Sequence, residues 1–513
     1  AKPFKFIIRL ELLRRSSGVL MHITSLPGPY GIGELGREAK KFIDDLVSMR
    51  QSLWQILPTN PPELDNCPYN SNSAFANNPL MISLDILIEE GFITDDDLGR
   101  IPDQDGQRVD FNSVIKWKIP ILEKAAKRFL SDAPDDILDK YKLFCSENKN
   151  WIDKYALFCV LQNIHDESTW EGWKLEYKNL NQDQLSAIEN FHSHEIEIIK
   201  VLQFLFYGQW VRIKDYANSK GIKIIGDIPI YISYNSADVW SYKDLFKLDV
   251  EGRMIVQSGC PPDFFVETGQ IWGHPIYDWT EHRKTGYKWW LERISHLLKY
   301  VDIIRIDHFN GFAKYWEVPA EDKNGLNGKW VQGPQNDFIK TIYEKMGNIK
   351  LMAEDLGEAS EDAAVIRNYF DIPGIQILQH SFTVKDPLKK IPENMVVYTG
   401  THDNDTSVGW FNDLLRNKKT QAKNELKKEL YNAKKSLEIE SHGIQWAMMK
   451  YCLDSEAMTV IFPLQDILGL SSGARMNIPG TTDNGNWEWR LTPELLTTKI
   501  KNKLKSLTLE SER

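Results

Sequence analysis

The chain has 513 residues, 42% hydrophobic and 26% charged, an ordinary globular composition with enough length to bury a large core. Seventy-two acidic against sixty-two basic residues leave a formal net charge of −10, the wrong sign for a general nucleic-acid binder. Cys67, Cys145, Cys159, Cys260 and Cys452 are scattered without a C-x-x-C, which indicates neither a disulfide framework nor a zinc ribbon, and no apolar run reaches the length of a membrane span. The opening stretch Phe4 to Leu13 is interrupted by Lys5, Arg9 and Glu11 and does not read as a secretory signal. A reducing compartment is expected: the cytoplasm, or a plastid if a presequence was removed before Ala1.

In chain order, eight short β-rich runs read as strands, at about 18–24, 53–58, 222–228, 301–307, 349–354, 374–379, 394–400 and 457–463. Helical patterns lie between most of them, and strand–helix alternation at that count predicts a (β/α)8 TIM barrel. The first such helix is expected over 37–50. Just before it, Gly31-Ile32-Gly33-Glu34-Leu35-Gly36 satisfies G-x-G-x-x-G. Ser25 to Tyr30 separate it from the strand, however, where a dinucleotide fingerprint needs its turn directly at the strand end. The second strand also ends in Leu57-Pro58-Thr59-Asn60, without a ribose-binding acid, so no nucleotide site is expected.

About 160 residues separate the second and third strands, far more than an ordinary barrel connection. Helical periodicity runs from about 113 to 217, and a long helix near 186–219 ends at Gly221, which suits a C-terminal cap. This predicts a largely helical insertion, 60–220, on the catalytic face. It divides an N-terminal segment with strands one and two (1–59) from strands three to eight and a C-terminal helix (221–513). A second excursion, about 250–285, carries Pro261, Pro262, Phe264, Phe265, Gly269 and Trp272. By itself it reads as a rigid surface loop or a ligand-gripping one. Only about 50 residues follow the eighth strand, which leaves no room for a C-terminal β-sandwich domain.

Three of the predicted strands end in acids: Asp307 and His308 after Arg305, Glu354 and Asp355 after Ala353, and Asp403 in Thr401-His402-Asp403-Asn404-Asp405. Side chains alternate along a strand, so Arg305 and Asp307 share a face opposite Ile304 and Ile306, and that face points into the barrel. Carboxyl ends of barrel strands open into one mouth. Each acid alone has an ordinary explanation, as an ion pair, a solvated carboxylate or a turn residue. Together, with an arginine and histidines beside them, they suit cleavage of a glycosidic bond, in which one carboxylate attacks and another protonates the departing oxygen. The eleven histidines form no H-E-x-x-H or His/Cys cluster, and the Asp-Asn-Asp run lacks the glycine and glutamate of an EF-hand loop, so no metal and no cofactor are expected.

The segments Arg305-Ile306-Asp307-His308-Phe309, Ala353-Glu354-Asp355-Leu356-Gly357 and Thr399-Gly400-Thr401-His402-Asp403-Asn404-Asp405 resemble the signatures of amylomaltases, the disproportionating 4-α-glucanotransferases of the α-amylase clan. Pro68-Tyr69, Gly226 to Tyr231, Pro261 to Phe265, Gly269 to Gly273 and Ala474 to Gly480 match in the same order, over roughly 16–495. The resemblance implies a retaining transferase with Asp307 as nucleophile, Glu354 as acid/base and Asp403 as the carboxylate that holds the donor sugar. It implies substrate-binding roles for Arg305, His402, Tyr69, Asp227, Asp263, Phe265, Trp272, His308 and Asn477. The implied donors and acceptors are maltooligosaccharides and α-1,4-glucans, with the oligomeric state open between a monomer and a small homo-oligomer. Cys67, Asn310 and His274 depart from the residues common in the family (Ser, Arg and Asn), which bears on acceptor preference. The alternatives are a hydrolase of the same clan, which would carry the same acids, and a non-catalytic glycan-binding barrel, which would lack one.

Overall fold

The computed structural model describes residues 15–513 apart from 64, 103–105, 166–168, 263–266, 358, 385, 389–390, 418–423, 438 and 483–484. Strands are numbered along the chain: β1 (Ser16–Leu20), β2 (Leu53–Gln55), β3 (Lys223–Pro229), β4 (Val256–Cys260), β5 (Gln270–Pro275), β6 (Ile303–Asp307), β7 (Lys314–Pro319), β8 (Lys329–Gln332), β9 (Leu351–Ala353), β10 (Gly374–Ile377), β11 (Met395–Tyr398) and β12 (Thr459–Pro463). Eight of them close a parallel barrel in the order β1-β2-β3-β6-β9-β10-β11-β12. Each contains part of one of the eight runs expected as strands, and the (β/α)8 barrel is confirmed.

Apart from β3, the observed barrel strands are shorter than the runs. Ile56 and Leu57, beyond the end of β2, remain 1% exposed, so apolar character continues into loops that are themselves buried and does not mark where pairing stops. Gly18 has a steric reason: a Cβ there would lie 2.5 Å from that of Leu53 on the neighbouring strand. Ile304 and Ile306 of β6 are 0% and 1% exposed. Full burial of each such side chain contributes about 1.5–3 kcal/mol, which anchors the strand whose other face carries Arg305 and Asp307.

The expected first helix is present as Arg37–Ser48. The stretch expected as one helix over 186–219 is two, Gln182–Phe191 and Ser193–Ser219, with His192 between them at φ −104°, ψ 24°. The second, 27 residues long, packs against Arg37–Ser48, β3 and the helices Phe111–Asp132 and Lys149–Ile164. It therefore forms part of the barrel's outer wall. Gly221 follows it at φ 79°, a left-handed turn that glycine adopts without steric cost, and β3 begins two residues later.

The excursion at 250–285 differs from a loop. It contributes β4 and β5 to an antiparallel sheet in the order β5-β4-β7-β8, completed by strands that follow β6. Pairing β4 with β7 joins residues some 60 positions apart, and local periodicity carries no information about such a partner.

Candidate active site

The site begins with strand register. Parallel pairing of β3 with β6 sets Asp227 beside Arg305 and Pro229 beside Asp307, and side-by-side residues in a sheet share a face. Arg305 Nη1 accordingly lies 2.6 Å from Asp227 Oδ2 and 3.0 Å from Asp307 Oδ1. Arg305 and Asp227 are each 3% exposed, and Tyr69 donates its hydroxyl to the same Asp227 oxygen at 2.8 Å. Burial pushes the Asp227 carboxyl up, while Arg305 pulls it back. The guanidinium thus ties the buried acid to the acid at the cleft floor.

Just beyond β9, the next strand of the barrel, Glu354 follows Ala353, the partner of Ile306. Its carboxylate accepts the backbone N–H of His308 at 2.7 Å and that of Leu356 at 3.2 Å. His308 has φ 49°, a left-handed conformation that costs a non-glycine residue about 1–3 kcal/mol and directs its N–H at Glu354. Burial, then the charge of Asp307, raises the Glu354 carboxyl to about 7, against the opposing pull of Arg305 and the two N–H donors. Burial is the larger cause, because the carboxyl group lies deep although the residue as a whole is half-buried.

Asp403 is held from the other side of the cleft. Asn477 Nδ2 donates to its Oδ1 at 2.6 Å, Arg475 donates to its carbonyl at 2.6 Å, and His402 Nε2 lies 3.4 Å from its Oδ2. Burial lowers the His402 pKa, which favours a neutral ring. Tyr69 stacks on His402 with centroids 5.0 Å apart and planes at 12°, and Trp487 leans on both at 5.8 Å. Across the cleft, Trp272 meets His308 edge to face at 4.9 Å, and Tyr231 backs Trp272, His274 and His308.

These groups line one cleft of about 670 Å³. Asp307, Glu354, Asp403, Tyr69, Trp272, His308, His402 and Asn477 face it, while Asp227 and Arg305 lie beneath its floor. Asp263 and Phe265 fall outside the described residues. Among the residues singled out as departures, His274 and Cys67 line the cleft, and burial pushes the Cys67 thiol up to about 12, which leaves it protonated. Asn310 instead lies under the acid loop and donates to the Leu356 carbonyl at 2.5 Å.

Trp487, Tyr231 and Gln270 line the cleft without having been assigned to it from the sequence. Tyr231 and Gln270 stood inside quoted segments; Gln270 shares a strand face with Trp272 on β5, and Tyr231 lies two residues beyond the end of β3. Trp487 had no local signal; its backbone at φ 68° and its distance along the chain hide it. Among the described residues no group of three or more His, Cys, Asp or Glu is placed to hold a metal ion.

Aromatic walls, two unequal carboxyl environments and a carboxylate clamped by amide and imidazole describe a sugar-cleaving site, and comparison with known proteins agrees. A model of the 4-alpha-glucanotransferase family matches residues 21–497. The 4-alpha-glucanotransferase of Synechocystis is 39% identical over 502 residues, covering 96% of this chain and 97% of that relative. The chloroplastic/amyloplastic 4-alpha-glucanotransferase of Solanum tuberosum is 40% identical over 491 residues, covering 93% and 82%. The amylomaltase of Streptococcus agalactiae, solved in complex with acarbose, superposes with a TM-score of 0.91 at 36% identity, covering 98% of this chain and all of that one. Matched over nearly its whole length, the chain belongs to the 4-alpha-glucanotransferase family.

Proposed function

We propose that this enzyme moves α-1,4-glucan segments between maltooligosaccharides, or chains derived from starch or glycogen, by a retaining double displacement that releases glucose. Asp307 attacks the anomeric carbon of the donor, the glycosidic C–O bond breaks, and Glu354 gives its proton to the departing oxygen. The 4-hydroxyl of an incoming chain then gives its proton to the Glu354 carboxylate and displaces Asp307 from the anomeric carbon. Asp403, clamped by Asn477 and His402, holds the donor's hydroxyls.

The observation that carries this reading is the pair of unequal acids in one cleft. Asp307 is ion-paired to Arg305 at 3.0 Å, while burial holds Glu354 near 7, where it can both give and take a proton at neutral pH. Acarbose in the S. agalactiae relative supports an oligosaccharide-shaped cleft. A plastid setting is supported by the chloroplastic/amyloplastic relative. Among the described residues no helix is long and apolar enough to cross a membrane.

Transfer competes with water for the same intermediate, and an oriented acceptor can be worth effective molarities of about 10⁵ M or more. With maltotriose as sole substrate, the expected products are glucose and a ladder of longer maltooligosaccharides at nearly constant total reducing ends. A steady rise in reducing ends, with only glucose and maltose accumulating, would assign the cleft to a hydrolase instead.

A further inference from the structure

Besides the cleft, His402 borders a smaller cavity of about 30 Å³ at the carboxyl ends of β1, β12 and β11, which are neighbours in the barrel. Three of its lining residues carry a polar atom that is buried and has no hydrogen-bond partner among the described residues: His22 Nδ1, Ser25 Oγ and His402 Nδ1. His22 and His402 are each 5% exposed, and Ser25 1%. Buried polar atoms are ordinarily paired, and here three residues with an unpaired one border a single gap. The charged residues around it are engaged elsewhere. Asp405 accepts from Ser472 Oγ and the Thr406 N–H, Asp466 accepts from Thr399 Oγ1 and the Ser407 N–H, and Arg475 donates to the carbonyls of Asn477 and Asp403.

What each ring faces decides where its proton sits. His402 Nε2 lies 3.4 Å from Asp403 Oδ2, and a carboxylate only accepts, so the neutral His402 ring carries its proton on Nε2. Its Nδ1 is then a lone pair that needs a donor from the cavity side. Burial, then the neighbouring His402, lowers the His22 pKa to about 3, so both rings are neutral in the working range. A cavity of this size has room for one water molecule, and a buried water ordinarily takes about three polar partners. Such a water accepts from His22 Nδ1–H and donates to His402 Nδ1 and Ser25 Oγ, which pairs all three atoms at once.

We infer that His22 is a positioning residue for glucan transfer: through one water shared with Ser25 it holds the His402 ring in the tautomer that presents Nε2–H to Asp403 and the donor sugar. The inference rests on the reading of Asp403 and His402 as the donor clamp. His22 itself does not line the cleft and acts only through His402. Without a donor at Nδ1 the neutral ring is free to carry its proton on either nitrogen. With the proton on Nδ1, a lone pair on Nε2 faces the Asp403 carboxylate and repels it. The share of enzyme with a competent clamp then falls, and the apparent efficiency falls with it.

The test uses the full-length enzyme grown with isotope-labelled histidine, whose nitrogen chemical shifts report which ring nitrogen is protonated; the His402 signals are identified by their loss in His402→Gln. The unaltered enzyme should show His402 protonated on Nε2. In His22→Leu, with folding checked by circular dichroism, the His402 shifts should move toward a mixture of tautomers and kcat/KM for maltotriose should fall about 3- to 10-fold, the order of one hydrogen bond. His22→Asn, whose amide places an N–H where Nδ1 stands, should recover both. Should His22→Leu not fold, Ser25→Ala carries the test, because it removes one of the water's three partners and should displace the His402 Nδ1 shift. His402 protonated on Nδ1 in the unaltered enzyme, or His402 shifts unmoved in the folded variant, overturns the inference. Activity lost in both His22 variants with the tautomer unmoved would make His22 a packing residue and equally overturn it. An unaltered enzyme with the Nε2–H tautomer that fails to disproportionate maltotriose would remove the transfer reading, and the transfer role of His22 with it, while the shifts still show the link between the two rings.

Discussion

The backbone N–H of His308, the residue after Asp307, donates to Glu354 Oε2 at 2.7 Å. The peptide that positions the proposed nucleophile thereby also orients the proposed acid, so the spacing of the two carboxyl groups is set by backbone and not by two free rotamers. The positive φ of His308 is what allows this. Asp307→Asn and Glu354→Gln, both nearly isosteric, should leave the fold unchanged by circular dichroism. Loss of acid/base function should slow turnover of maltotriose by about 10²–10⁴-fold, and loss of the nucleophile should cost at least as much. Near-normal rates in either folded variant would remove that residue from its role.

The raised Glu354 carboxyl has a signed consequence for activity. A group that must deliver a proton works only while it carries one, so kcat/KM should decline as pH rises through about 7. A profile still rising well above that value would show that another group supplies the proton.

The same shift acts on stability. The folded state binds the Glu354 proton more tightly than the unfolded chain does, so this contribution is fully present below the ordinary value of 4.5 and is lost as pH rises toward and past about 7. Glu354→Gln cannot titrate. Urea midpoints measured across that window should therefore fall less steeply in the variant than in the parent, and parallel curves would contradict the assignment.

Arg305 stands between two carboxylates, at 2.6 Å from Asp227 and 3.0 Å from Asp307. Removing one partner of a buried pair leaves an uncompensated charge, at a cost of about 3–5 kcal/mol. Arg305→Met should lower the urea-unfolding free energy by roughly that amount, and Asp227→Asn on the Arg305→Met background should restore part of it. A loss under about 1 kcal/mol would mean that the pair behaves as a solvated one.

His274 faces the cleft with a buried Nδ1 that has no hydrogen-bond partner among the described residues, and burial lowers its pKa to about 4. The ring is therefore neutral throughout the working range, able to meet a sugar hydroxyl but not to titrate with it. His274→Asn should change the KM for acceptor sugars by a few-fold, on the order of one hydrogen bond, and leave the pH profile where it was. A shifted profile would show that the imidazole takes part in proton transfer.

Much of this protein can be read from residue order. A run such as Met395–Tyr398 declares a buried strand because both its faces are apolar, and polar residues that close such β-rich runs, as Asp307 closes Ile303–Asp307, mark the mouth of a barrel before any pairing is known. Asp307, Glu354 and Asp403 are visible for that reason, as are Tyr69 and Trp272 once their motifs are recognised. What residue order does not contain is which strand lies beside which. Only the register of β3 on β6 puts Asp227 against Arg305, 78 positions away, and only closure of the barrel brings Trp487 onto Tyr69 and His402. The second sheet is the plainest case: the β4–β5 pair reads as loop because the strand that joins β4 to the rest of its sheet, β7, comes after another barrel strand. Local periodicity reports which face of a segment avoids water. The partner that covers that face is chosen by long-range packing, and so are the burial that lifts Glu354 and the backbone hydrogen bond that aims it.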